Sequence, residues 1–199
     1  MIESDAMDLP PLPETAALIV VDVQQGLDDP VWGRRNNPDA EANIGRLLAA
    51  WRRTHRPIFH IQHRSRLATS PLCPGQRGFD LKEIVRPLPG EPLLTKEVNS
   101  AFIGTDLEER LRRLGCTTVV VTGLTTNHCV ETTTRMAGNL DFTTFIVSDA
   151  TATFDRIGPD GAHYTAELIH AVSLASLHGE FATVVTTETL LASLAQHTR

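Results

Sequence analysis

The sequence predicts an α/β fold, a single Rossmann-like three-layer αβα domain built on a six-stranded, mostly parallel sheet. Short β-rich runs alternate with amphipathic helical runs, the pattern typical of a parallel sheet covered by helices on both sides. The first run, AALIVVDV, is almost entirely apolar, as a strand buried on both faces requires. The length of 199 residues suits one such domain with one full core.

The first half of the chain contains three predicted strands and one long helix. The strand at 16–23 is followed by a helix at 39–54, whose apolar residues recur every three or four positions. Strands follow at 58–61 and 92–95. The segment 63–91 between them is rich in Pro, Gly, Ser and Arg and has weak periodicity, which predicts a long functional loop that shapes a substrate pocket.

The second half repeats the alternation of helix and strand. The predicted elements, in chain order, are a helix at 105–114, a strand at 117–122, a helix at 127–139, a strand at 142–148, a helix at 164–177, a strand at 182–185 and a helix from about 188. Right-handed crossovers between parallel strands leave few topologies for such a chain.

Charge and composition argue against several classes of protein. Eighteen Lys and Arg against 24 Asp and Glu give a net charge of -6, whereas nonspecific nucleic-acid binding needs a basic face. The three cysteines, Cys73, Cys116 and Cys129, are too few and too widely spaced for a disulfide framework or a Cys-x-x-Cys zinc site. We interpret Cys73 and Cys116 as inert or accessory.

Residues 1–14 are predicted to form an N-terminal extension to a domain at 15–199. The extension is acidic and proline-rich and lacks the basic start and apolar run of a signal peptide. No apolar run approaches the length of a transmembrane helix. We therefore expect a cytoplasmic protein with neither a membrane nor a nucleic-acid partner.

Three chemically useful side chains follow three different predicted strands. Asp22 ends the first strand, Lys96 follows the third, and Cys129 lies in the first turn of the helix after the fourth. Ligands of open parallel sheets bind beyond the carboxyl ends of the strands, so one carboxylate, one amine and one thiol converge on the same edge. This position predicts a catalytic site.

Each of these residues also has a purely structural interpretation. Cys129 is a reactive thiolate if the helix N-terminus, with Thr126 as its N-cap, lowers its pKa, but helix cysteines are often inert and buried. Asp22 acts as a base, or it caps the loop after its strand. Lys96 alone is typical of a solvated loop. The presence of all three at one edge favours the catalytic interpretation.

The histidines are assigned structural roles. His60 and His63 have metal-ligand spacing, but no third ligand follows, and strand-end histidines are usually hydrogen-bonded in place. His163 and His170 are predicted to lie about 10 Å apart on one helix, too far for one zinc ion, and are interpreted as surface or interface residues. We predict no bound metal.

No cofactor is predicted either. The chain has no Gly-x-Gly-x-x-Gly after its first strand and no Walker loop, so the phosphate cradles of nucleotide-binding α/β proteins are missing. Trp32 and Phe102 either line an apolar pocket or belong to the core.

The three site segments resemble the isochorismatase-like hydrolase superfamily, which includes nicotinamidases, carbamoylsarcosine amidases and isochorismatases. The matching stretches are VVDVQ with Asp22, LLTKEVNSAFIGTDLEERL with Lys96, and VVVTGLTTNHCVETTTRMAGNLDF with Cys129. With the later DATATFD the resemblance covers nearly all of the chain after Ala16.

This resemblance implies a sheet order of 3-2-1-4-5-6 and an Asp–Lys–Cys triad. It also implies a cis peptide bond between Leu124 and Thr125, an oxyanion hole formed by the N–H groups of Thr125 and Cys129, and a homo-oligomer, either a dimer or a tetramer. The alanine- and leucine-rich helix at 164–177 is a candidate contact between subunits. The expected substrate-pocket residues are Gln24, Leu27, Trp32, His63, Phe102 and Asn127.

Two departures from the family pattern narrow the function. Nicotinamidases carry an Asp-x-His metal motif after the second strand, where this chain reads FHIQHRSR. Isochorismatases that cleave a vinyl ether generally lack the nucleophilic cysteine, whereas Cys129 is present. We therefore predict a cysteine hydrolase that cleaves an amide-type C–N bond of a small molecule through a thioester. The alternatives are a non-covalent isochorismate-type hydrolase, and a catalytically idle binding protein of the same fold.

Overall fold

Six parallel strands form the central sheet of the computed structural model, which describes residue 9 and residues 11–195. The strands, including a separate two-stranded hairpin formed by β6 and β7, are β1 (Ala17–Val21), β2 (Ile58–His63), β3 (Leu93–Lys96), β4 (Thr118–Leu124), β5 (Thr143–Ala152), β6 (Arg156–Ile157), β7 (His163–Tyr164) and β8 (Thr183–Val185). The sheet order is β3-β2-β1-β4-β5-β8, and every pairing is parallel. The predicted order 3-2-1-4-5-6 is confirmed, because β8 is the sixth strand of this sheet.

Helices cover both faces of the sheet, which confirms the predicted three layers. They are α1 (Ala40–Arg53), α2 (Leu107–Arg113), α3 (Glu131–Asn139), α4 (Ala166–Leu177) and α5 (Thr187–Ala195). Helices α1 and α5 pack on one face, and α2, α3 and α4 pack on the other. The predicted apolar stripe of α1 is fully buried, and the Trp51 indole N–H donates to the carbonyl of Ala16 at 2.9 Å. Each such buried side chain stabilises the fold by about 1.5–3 kcal/mol.

The hairpin β6–β7 was not predicted, and it shortens the following helix. Helix α4 begins at Ala166, where the Thr165 side chain accepts a hydrogen bond from the Leu168 N–H. His163 therefore lies in β7, and its predicted place on one helix with His170 is wrong. His163 is exposed, but the ring of His170 is half-buried, with Nδ1 2.9 Å from Thr126 Oγ1.

Helix α4 exposes apolar side chains to solvent. Leu168 and Val172 are both exposed on this helix, which is the predicted contact between subunits. The homo-oligomer stays a prediction.

The two ends of the chain are described only in part. Residues 1–8 and 10 of the predicted extension, and 196–199 of the predicted domain, lie outside the described residues. Leu12 is buried in the core beneath α1, and its carbonyl accepts a hydrogen bond from Arg56. Among the described residues, no helix combines the length and apolar character needed to span a bilayer.

Gly123 allows β4 to lie against β1 at the edge where the polar residues meet. Its φ is +119°, and a Cβ at this position would lie 2.0 Å from the carbonyl oxygen of Val21. The ladder between β4 and β5 also shifts register between Val121 and Gly123. This glycine therefore fixes the approach of the Leu124–Thr125 segment to Asp22.

We predict that Gly123→Ala lowers the free energy of unfolding by about 3 kcal/mol, because the methyl group has no space and the backbone is strained. Gly115→Ala is the matched control: its φ is also positive at +68°, but no atom lies within 4 Å of its Cβ position. That variant should lose only about 1–2 kcal/mol. Urea unfolding of the two variants checks the difference, and equal losses would show that close packing at Gly123 is unimportant.

Candidate active site

Asp22, Lys96 and Cys129 meet at the carboxyl edge of the sheet. Asp22 directly follows β1, Lys96 is the last residue of β3, and Cys129 follows β4 by five residues. Because the strands are parallel, these positions lie at one edge, as the sequence predicted. Asp22 has a positive φ of 52°, a conformation that Asp tolerates better than most residues.

Asp22 and Lys96 form a buried ion pair. Lys96 Nζ lies 2.7 Å from Asp22 Oδ2, and the exposed fractions of the two side chains are 0% and 3%. A second partner of the ammonium is His63, whose Nδ1 is 3.2 Å away. Burial and the Lys96 charge lower the pKa of His63, so its neutral ring can accept this hydrogen bond. The other carboxylate oxygen, Asp22 Oδ1, is buried and has no hydrogen-bond partner among the described residues.

Cys129 lies in a π-helical turn, Thr126–Val130, that precedes α3. The turn is wide because the N–H of Val130 reaches the carbonyl of Thr125 at 3.3 Å. The Leu124–Thr125 peptide bond immediately before it is cis. Thr126 is not the N-cap that the sequence suggested, since the turn is preceded by Thr125, and no side chain caps it.

The sequence predicted a thiolate at Cys129, and this prediction is wrong because the surroundings of the sulfur favour the neutral thiol. Burial and the negative charge of Asp22 raise the pKa of the thiol to about 12, and the opposing effect of Lys96 is smaller. A Cys129 Sγ within 4.8 Å of an Asp22 carboxylate oxygen explains the strong influence of that charge. The resting site therefore holds a neutral thiol beside a carboxylate.

In this arrangement the negative charge of Asp22 lowers the fraction of Cys129 that is ionised before substrate binds. We predict that Asp22→Asn accelerates alkylation of Cys129 by iodoacetamide at pH 8, by about tenfold for each unit by which the thiol pKa falls. In the unmodified protein the rate should still be rising between pH 8 and 10, because the thiol pKa is about 12. Peptide mass spectrometry measures the labelling, with the half-buried, free Cys73 as internal reference.

Asp28→Asn is the matched control, because Asp28 is a carboxylate exposed at the surface beside Lys82. It should leave the labelling of Cys129 unchanged. Slower labelling in Asp22→Asn would contradict the assigned effect of Asp22 and indicate that it ionises the thiol at rest.

A cavity of about 140 Å³ opens onto Asp22 and Cys129, whereas Lys96 lies behind Asp22 and does not line it. Of the predicted pocket residues, Leu27, Trp32 and His63 line it. Trp32 is held in place by its indole N–H, which donates to the carbonyl of Gly26 at 2.7 Å, and by stacking on Phe154. Asp22, Leu124, Thr125 and Cys129 line the same space. A small molecule in this cavity would contact the thiol, the carboxylate and an apolar wall.

Gln24, Phe102 and Asn127 do not line this cavity. Gln24 is fully buried and joins two segments, since its Nε2 donates to the carbonyls of His63 and Phe79 and its Oε1 accepts from the His63 N–H. Phe102 stacks on Phe142 against the core. Asn127 Oδ1 accepts a hydrogen bond from the hydroxyl of Thr153. These three residues support the site from outside.

Four lining residues were not predicted: Leu72, Asn99, His128 and Arg156. His128 precedes Cys129 in sequence, and Asn99 follows Lys96 by three residues, so proximity to the triad was a usable signal for both. Leu72 belongs to the predicted loop, whose path places one apolar side chain over the site. Arg156 lies in the unpredicted hairpin, and nothing in its local sequence indicated a position at the cavity.

The two histidines of β2 have different partners. His60 Nε2 lies 2.8 Å from Glu91 Oε2, whereas His63 contacts Lys96. Asp22, His63 and Cys129 do offer three metal-binding atoms within 4.8 Å of one another. Because the Lys96 ammonium is hydrogen-bonded to both Asp22 and His63, a metal ion there would meet a like charge.

The other two cysteines are outside the lining of this cavity. Cys116 is buried, and burial raises its pKa, while Cys73 is half-buried in the loop; both are free. Neither lines the cavity.

Comparison with known proteins places the chain and its fold in one family. Residues 16–189 match the family described as Isochorismatase domain. The isochorismatase family protein YrdC of Bacillus subtilis (strain 168) is 52% identical over 178 residues, which cover 89% of this chain and 95% of YrdC. Nicotinamidase 3 of Arabidopsis thaliana is 30% identical over 197 residues, covering 92% of this chain and 91% of the plant protein. A solved isochorismatase-family structure from Chromobacterium violaceum ATCC 12472 has a TM-score of 0.92 at 43% identity, covering 95% of this chain and 98% of that one.

Proposed function

The chain belongs to the isochorismatase family of hydrolases, and we propose that it is a cysteine hydrolase that cleaves an amide-type C–N bond of a small molecule. One observation carries this proposal. In a buried site, Lys96 holds Oδ2 of Asp22, while Oδ1 has no partner and the Cys129 thiol lies beside the carboxylate. A free carboxylate oxygen next to a neutral thiol is an arrangement for moving one proton.

In the first half of the reaction, Asp22 takes the proton from Cys129 Sγ as the sulfur adds to the carbonyl carbon of the substrate. The carbonyl oxygen gains the negative charge and accepts hydrogen bonds from the N–H groups of Thr125 and Cys129. Collapse of this intermediate breaks the C–N bond, and Asp22 gives its proton to the leaving nitrogen. The products are a free amine or ammonia and a thioester on Cys129.

In the second half, water replaces the amine. Asp22 takes one proton from the water as its oxygen adds to the thioester carbonyl. The C–S bond then breaks, the sulfur regains the proton, and a carboxylic acid leaves. Lys96 stays bonded to Asp22 throughout and keeps a positive charge beside the carboxylate whenever it is ionised.

The presence of a positioned thiol favours an amide over a vinyl ether as the substrate. Hydrolysis of a vinyl ether needs an acid to protonate the double bond and a water molecule to add to it, but no nucleophilic side chain, so it would leave Cys129 without a function. Nicotinamidase 3, similar over nine-tenths of its length, is an amidase by name. A binding protein without activity would not need the buried Asp22–Lys96 pair, which is costly to desolvate.

A hydrolysis screen tests this function. Small primary amides, ureido compounds and isochorismate are incubated with the protein, and release of ammonia or amine, or of pyruvate from isochorismate, is followed. We expect amine or ammonia release from at least one C–N substrate, and no pyruvate. Pyruvate release alone would favour the vinyl-ether hydrolase, and binding without any turnover would favour the idle binding protein.

A further inference from the structure

Arg156 brings a positive charge to the wall of the active-site cavity, and it forms no ion pair with an acidic side chain of the described residues. It lies in β6, beside β7, and lines the same space as Cys129. Its Nη2 lies 3.5 Å from Nδ1 of His128, another lining residue. Its Nε is buried and has no hydrogen-bond partner among the described residues. A half-buried guanidinium with an unpaired buried donor normally has an anionic partner.

The other charged groups of the cavity do not supply that partner. The Asp22 carboxylate is paired with Lys96, so these two charges offset each other. His63 and His128 have pKa values lowered mainly by burial, together with the charges of Lys96 and Arg156 respectively, and are neutral at pH 7. The pKa of Arg156 itself is lowered by burial, and no acidic group opposes this effect. The cavity therefore carries one uncompensated positive charge.

We propose that Arg156 binds a carboxylate of the substrate, so that the enzyme acts on small amides that also carry a carboxylate group. The proposal rests on the proposed function and names its substrate class. A planar carboxylate matches the donor fork of a guanidinium, including the unused Nε. Leu27, Trp32 and Leu72 provide an apolar wall for the carbon chain between the carboxylate and the amide. At about 140 Å³ the cavity suits a short chain.

Alkylation of Cys129 by two reagents of nearly equal size tests the charge preference. Iodoacetate carries a carboxylate where iodoacetamide carries a neutral amide. We define the ratio as the alkylation rate with iodoacetate divided by the rate with iodoacetamide, both at pH 9. Any change in the reactivity of the thiol itself affects both rates equally and cancels in this ratio. We expect Arg156→Gln to lower this ratio about tenfold or more, as loss of a hydrogen bond to a charged group would. Arg156→Lys should keep most of it.

Arg66→Gln is the matched control. Arg66 is an exposed arginine paired with Glu97, so its replacement removes one positive charge without touching the cavity. It should leave the ratio within about twofold, because exposed charges are screened. An unchanged ratio in Arg156→Gln would overturn the proposal, as would an equal fall in Arg66→Gln.

A binding measurement separates this proposal from the proposed function. Butyrate and butyramide are titrated into the Cys129→Ala variant, and binding is followed by calorimetry. This measurement does not depend on a reactive thiol. Tighter binding of butyrate that is lost in Cys129→Ala/Arg156→Gln supports the carboxylate subsite even if Cys129 proves unreactive. Equal binding of the two compounds would overturn the subsite even if the protein hydrolyses amides.

Discussion

Replacing Cys129 with alanine is expected to lower kcat/KM for an accepted amide by about 10⁴-fold or more, because the covalent route loses its only nucleophile. The folded state should persist, since Cys129 is only half-buried and the substitution removes a single sulfur atom. Loss of one sulfur beside the core should reduce the free energy of unfolding by about 1 kcal/mol. Steady-state kinetics and urea unfolding of the same preparation measure both effects.

Cys116→Ala is the matched control for this variant. It removes a buried thiol from the same core but not from the cavity. It should lose stability to a similar or larger extent while kcat/KM stays within about twofold. Turnover by Cys129→Ala at the rate of the unmodified protein would contradict the covalent mechanism. It would favour the alternative of a non-covalent, isochorismate-type hydrolase.

Replacing Lys96 with methionine is expected to abolish activity and to lower the free energy of unfolding by about 3–5 kcal/mol. The variant leaves Asp22, with an exposed fraction of 3%, without its counter-charge. A buried carboxylate without a counter-charge is costly, so we expect the site to rearrange around Asp22 and to lose the position of its base. Urea unfolding at pH 7 and kinetics on the accepted amide measure the two losses.

The double variant Asp22→Asn/Lys96→Met separates these effects. It removes both charges, so we expect it to recover most of the stability that Lys96→Met loses. It should remain inactive, because no base is left. If Lys96→Met is as stable as the unmodified protein, the buried pair does not hold the site as described.

The sequence alone was sufficient for the sheet and for the meeting of Asp22, Lys96 and Cys129 at one edge of it. A buried parallel strand such as β1 is a continuous apolar run, and the parallel arrangement dictates that residues at the carboxyl ends of neighbouring strands meet. Asp22, Lys96 and Cys129 were therefore found without any knowledge of distances. The stripe of α1 likewise identified its buried face, because helix periodicity is a local property.

The pKa of Cys129 could not be predicted from local sequence patterns. A position near the start of a helix predicted a thiolate at Cys129, but burial and the proximity of Asp22 raise the pKa instead. These effects depend on the packing of three distant segments. The same reason explains Arg156, which reaches the cavity through a hairpin of two-residue strands that leave no periodic signal. Gln24, although adjacent to the triad in sequence, is directed into the surrounding backbone.

The central claim is that Cys129 forms a thioester after Asp22 takes its proton. The most direct measurement is the intact mass of the enzyme, quenched in acid within milliseconds of mixing with an accepted amide and followed by peptide mapping. We predict an added acyl mass on the peptide that contains Cys129, formed and lost at rates compatible with turnover and absent in both Cys129→Ala and Asp22→Asn. Full turnover by the unmodified enzyme, with no adduct at any time and undiminished turnover by Cys129→Ala, would contradict the claim.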